Sequence, residues 1–143
     1  MGVRRQGRIL AFQALYAWEH TQANVTELLA FPWYDVEEMN ESSRDEGLAF
    51  ARLLVSGTLE NLEFIDKRIK NQLEHWDFSR ISKVDLSILR VSVYALLFVE
   101  SIPASVSIDE AVVLAREFGS EESYRFVNGV LDGIRQAMPH AEA

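Results

Sequence analysis

Three arginines, Arg4, Arg5 and Arg8, crowd the start of the chain. A guanidinium is a permanent planar cation whose forked donors match a phosphate. On a helix, Arg4 and Arg8 stand one turn apart, and Tyr16 projects within roughly 20° of Arg5 around the axis. Cations and an aromatic face then share one surface, and phosphate contact plus base stacking is how single-stranded RNA is held. Arginines at a helix N-terminus also oppose the macrodipole, a local cost that binding would explain. A solvated helix start that aids solubility is the other reading of the same residues.

The overall charge points the other way. The 143 residues hold 14 Lys and Arg against 22 Asp and Glu, a formal net charge of −8, and an acidic surface repels a polyanion. Residues 1–8, however, carry three of the basic residues and none of the acids, so this segment is +3 and the remainder −11. Positive charge is concentrated at the arginines.

Few other residues offer chemistry. There is no cysteine, which removes disulfides, thiolate metal sites and cysteine nucleophiles and suits a reducing compartment. His20, His75 and His140 are far apart in the chain, and none stands at the i, i+4 spacing of a helical metal pair, so no metal site is expected. No phosphate-loop, dinucleotide-binding or G-x-S-x-G element is present. Glu121 and Glu122 are adjacent, which on a helix splays their carboxylates about 100° apart instead of aiming both at one bond; they read as charge at a helix N-terminus. The chain is expected to be no enzyme and to need no cofactor. With no export signal and no apolar run long enough to span a bilayer, it is expected in the cytoplasm and off the membrane.

The elements that position these residues are helical. Apolar spacing predicts a helix over 4–20, in which Gly7 costs about 1 kcal/mol relative to Ala. A short helix starts at Asn24 and ends before Pro32, and the acidic stretch Asp35 to Glu41 reads as a loop. The pattern resumes near Ser42, with a bend or break expected at Ser56, Gly57 and Thr58. Leu62, Ile65, Ile69, Leu73 and Trp76 step by three and four. Ser82 with Asp85 resembles a capping pair before a helix apolar nearly all round, Val84 to Val99, the pattern of a central buried element. Ser107 with Glu110 reads as a capping box, Gly119 as the stop of that helix, and Ser120 as the restart. Asn128 and Gly129 are read as helical because Phe126, Val127, Val130, Leu131 and Ile134 keep helical spacing. An all-α fold in one domain over 1–143 follows.

Four blocks of sequence recur in a familiar order: Arg4-Arg5-Gln6-Gly7-Arg8 with Gln13-Ala14-Leu15-Tyr16; Ile88-Leu89-Arg90 with Tyr94; Ile102-Pro103 with Ser107-Ile108-Asp109-Glu110-Ala111 and Phe118-Gly119; and Ser123 through Asp132. Together they cover nearly the whole chain and resemble the NusB transcription antitermination family. The resemblance implies a bundle of about seven helices in two packed subdomains and a non-enzymatic role in processive transcription of ribosomal RNA operons. It implies ribosomal protein S10, also called NusE, as a partner, the pair holding boxA of the nascent RNA near RNA polymerase. Carried over residue by residue, the RNA surface is Arg4, Arg5, Arg8, Tyr16, Glu122, Ser123, Arg125 and Phe126, and the S10 contact is Asp85. Helical spacing alone puts Phe126 in the core. Arg90, inside an apolar helix, reads as a paired structural charge.

Gly7 stands where the family usually has Ala, which should loosen the arginine helix, and Asp109 and Ala95 replace the common Asn and Glu. Two other readings stay open. One is the helical module that precedes RNA cytosine methyltransferase domains, against which speaks the lack of a cofactor-binding motif. The other is a homodimeric adaptor that never meets RNA.

Overall fold

The computed structural model describes residues 2–74 and 77–138; His75, Trp76 and His140, read above from the sequence, lie outside them. The described residues form seven α-helices and two short 3-10 turns, with no strand. The helices are α1 (Val3–Thr21), α2 (Val25–Leu28), α3 (Arg44–Glu60), α4 (Leu62–Lys70), α5 (Lys83–Phe98), α6 (Ala104–Phe118) and α7 (Ser123–Ala137). None is long and apolar enough to cross a membrane.

Two groups of helices meet on α5. α1 packs chiefly on α3 and α5, while α6 and α7 pack on each other and on α5. The apolar side chains of both groups form one contiguous core, from Leu10 and Leu15 through Leu54 and Leu89 to Leu114 and Leu131. α5 is buried from Asp85 to Leu96, as its all-round apolar sequence requires. Its start is set by Ser82, whose Oγ accepts the Asp85 backbone N–H at 3.1 Å. Ser82→Ala should cost about 1 kcal/mol, seen as a lower urea midpoint with unchanged slope. A shift under a few tenths would remove the cap's role. Asn24 caps α2 through Thr26 N–H at 2.8 Å, and Asn128 and Gly129 are helical as expected.

One buried cation ties three helices. Arg90 of α5 donates Nε and Nη2 to the Asp66 carboxylate of α4, both at 2.9 Å, and Nη1 to Glu19 of α1 at 3.0 Å. Burial lowers its pKa, but the Asp66 hydrogen bond and the two carboxylate charges outweigh that and raise it above the ordinary value. The structural charge read from the sequence is therefore a fully paired one.

Three local expectations are corrected. α3 does not break at Ser56–Thr58; it runs on to Glu60. Gly57 is where the hydroxyl end of the Tyr94 ring packs against the helix, since a Cβ there would stand 2.0 Å from Tyr94 Cζ. The interruption falls instead at Asn61, whose side chain donates back to the Gly57 carbonyl at 2.8 Å. Nor do Ser107 and Glu110 cap a helix. α6 starts a turn earlier after Pro103, and Ser107 is an interior, buried position whose Oγ has no partner among the described residues. Finally, Gly7 is buried against α3, where a Cβ would meet the Gly47 carbonyl at 3.0 Å and Phe50 at 3.1 Å. Its small size admits the neighbouring backbone, so its helix-propensity cost is offset by packing.

Candidate nucleic-acid interface

The arginines of α1 differ in environment. Arg5 forks its Nε and Nη2 onto Glu110 Oε2 at 3.2 and 2.9 Å, and the hydrogen bond and charge of that carboxylate raise its pKa. Its side chain keeps 41% of its exposure. Arg8 is buried, 3.6 Å from Glu110 Oε1; burial lowers its pKa and the Glu110 charge works against that. Arg4 lies 3.8 Å from Glu46, and both Arg4 and Arg8 reach the Phe50 ring, at 4.6 and 5.2 Å from its centroid. The cluster expected to be three open cations is thus one exposed, one half-buried and one internal. Arg8 faces inward because its position on α1 turns toward the Phe50 side of α3, away from solvent.

Tyr16 is 38% exposed and meets His20 edge-on at 4.4 Å. The exposed stripe of α1 continues at Gln13, which accepts the indole N–H of Trp33 at 3.0 Å.

The start of α7 is the second candidate region. Ser123 is buried, and its Oγ accepts Ser120 N–H at 2.9 Å. Gly119 is needed for this tight turn, since a Cβ there would fall 2.5 Å from Ser123. Ser123 therefore shapes the turn and does not face outward. Arg125 is exposed, 3.6 Å from Glu122, and donates Nε to the Tyr124 hydroxyl at 2.9 Å; that hydrogen bond is the main reason its pKa is raised. Phe126 is half-buried: it packs on the core and also borders a cleft of about 240 Å³.

That cleft joins residues assigned above to separate partners. Its lining includes Arg80, Ile81, Asp85, Glu122 and Phe126. Asp85 is buried, and its Oδ1 has no hydrogen-bond partner among the described residues. A carboxylate beside the first turn of α5 is favoured by the helix dipole, yet a buried oxygen without a donor costs about 1–3 kcal/mol. A donor arriving in the cleft would relieve that cost.

The two regions are linked through α6. α1 and α6 meet through long side chains: Arg5 and Arg8 in the first turns of α1 reach Glu110 in the middle of α6, and Phe12 meets Phe118 at the end of α6 at a ring distance of 5.0 Å. The turn into α7 follows Phe118 directly, and Tyr16 stands one turn beyond Phe12. Sequence reasoning missed Glu110 as the residue that organises this surface, because the Ser107 spacing suggested a cap. It also missed Arg116, whose guanidinium lies 4.1 Å over the Tyr124 ring. No local pattern signals either contact.

The fold and this surface define an all-α protein that presents cationic and aromatic side chains from two helical segments, α1 and the start of α7. The NusB family model matches residues 5–136. The transcription antitermination protein NusB of Treponema pallidum (strain Nichols) is 50% identical over 134 residues, 94% of this chain and 93% of that protein. Among solved structures, T. maritima NusB aligns with a TM-score of 0.78 at 36% identity, covering 94% of this chain and 91% of that one. A crystal structure of the antitermination factors NusB and NusE in complex with dsRNA aligns at 0.80 and 29% identity, covering 95% and 98%. This chain belongs to the NusB family.

Proposed function

We propose that this chain is a transcription antitermination factor that, with ribosomal protein S10 (NusE), binds single-stranded boxA of nascent ribosomal RNA transcripts and supports processive transcription by RNA polymerase in the cytoplasm. The names of its relatives support the antitermination role, and the relative bound to NusE and dsRNA supports NusE and RNA as partners. One observation carries the reading to this chain. Arg5 of α1 is held by Glu110 of α6 and Phe12 of α1 packs on Phe118, the last residue of α6 before the turn into α7, so α6 links the arginines and Tyr16 of α1 to the α7 start that carries Arg125 and Phe126.

Within that surface Arg4, Arg5 and Arg125 meet phosphates, and Tyr16 and Phe126 offer ring faces to bases. Arg8 and Ser123 act from inside, the first by holding Glu110 and the second by closing the turn. Asp85 receives a donor of S10 at the cleft, where its Oδ1 is unmatched among the described residues.

Titrating boxA RNA with and without S10 tests the reading. Tyr16→Ala should weaken binding of the single strand about tenfold, the effect of one lost stack of 1–3 kcal/mol, and a duplex of the same sequence far less. A chain that forms a dimer and binds neither RNA form, with or without S10, would be an adaptor instead.

A further inference from the structure

Each arginine of α1 already has a carboxylate within ion-pair distance: Glu46 for Arg4, and Glu110 for both Arg5 and Arg8. In a chain of net charge −8, a phosphate reaching those arginines must displace a neighbour that competes for the same donors. Cations without such a neighbour offer the better contact.

Arg116 is one. It is exposed on the last turn of α6 and makes no ion pair among the described residues. Its guanidinium carbon sits 4.1 Å over the centre of the Tyr124 ring. Arg125 approaches that ring to 5.5 Å and holds its hydroxyl at 2.9 Å. The ring is thus steadied from one residue while the other lies over it. A guanidinium stacked on an aromatic face keeps its edge donors free to fork onto a phosphate, and stacking restrains the rotamers that binding would otherwise have to freeze.

We infer that Arg116, seated on Tyr124, is a phosphodiester-binding site at the α6–α7 corner, and that it extends the RNA track past Arg125 beyond the residues assigned to it above. The inference rests on the RNA reading. Tyr124 is the positioning residue, and Arg116 is the contact. The competing account is purely structural: a cation in the last turn of α6 complements the helix C-terminus, a role that needs positive charge but no RNA.

Binding of single-stranded boxA RNA, measured with and without S10 across a salt series, separates these. Arg116→Gln should weaken binding about fivefold at ~0.1 M salt and make the slope of log affinity against log salt shallower by about 0.7, the signature of one phosphate contact on a single strand. Arg68→Gln is the control, since Arg68 is another exposed arginine 4.5 Å over an exposed ring, Phe64, on α4. It should leave both quantities unchanged. Melting curves check that each variant is folded. If Arg116→Gln binds like Arg68→Gln, with slope and affinity intact, the inference is overturned while the RNA reading stands. Absence of wild-type binding in every arm overturns both.

Discussion

Arg90→Ala should destabilise the fold by about 3–5 kcal/mol, the cost of breaking a buried ion pair by removing one partner, and lower Tm by roughly 10–20 °C. The reason is what stays behind. The Arg90 side chain is only 5% exposed, and those of Asp66 and Glu19 are 16% and 18% exposed. Without the guanidinium, the Asp66 carboxylate of α4 and the Glu19 carboxylate of α1 lose the cation that both of them bind. The loss should be largely repaired in a triple variant, Arg90→Met with Asp66→Leu and Glu19→Leu, because apolar replacement of a whole buried ionic group is often neutral or better. Chemical denaturation of the single and triple variants measures both. A loss under 1 kcal/mol for Arg90→Ala would show that water reaches the three groups and that the clamp contributes little.

Glu110→Gln should move stability and RNA binding in opposite directions. Glutamine keeps the size of the side chain but removes the charge that Arg5 and Arg8 share. Arg8 is then a buried cation without a counter-ion, so stability should fall by about 1–3 kcal/mol. Arg5, half-buried and no longer held by a carboxylate, becomes available to a phosphate. RNA affinity at ~0.1 M salt should rise about fivefold, with the salt slope steeper by about 0.7. Folding and binding are measured on the same preparation. If Glu110 only scaffolds the surface, both quantities fall together, and its role as a competitor of phosphate is ruled out.

The helices were legible because their evidence is local. Apolar residues stepping by three and four, the Ser82 and Asn24 caps and the Gly119 stop each act within a turn or two of their own position, and the observed elements follow them closely. The misreadings have a common physical origin. Ser107 and Glu110 carry the spacing of a capping box, yet that spacing also fits an interior turn. What decided between them was Pro103 starting α6 earlier and two arginines more than a hundred residues away in sequence. Gly57 and Gly7 carry a local helix penalty, and the compensating contacts, Tyr94 and the α3 backbone, come from other helices.

The candidate surface divides the same way. Residue types and order along the chain by themselves determined that arginines open α1 with an aromatic residue further along it, that a second set opens α7, and that the whole resembles NusB. Tertiary structure alone decided which of those arginines is open. Guanidinium availability depends on the carboxylates that packing brings beside it, and Coulomb attraction acts through space with no regard for sequence separation. By that rule Arg8 is taken into the interior with Glu110, Arg5 is shared with it, and Arg116, which no sequence pattern marked, is left over the Tyr124 ring with no ion pair among the described residues.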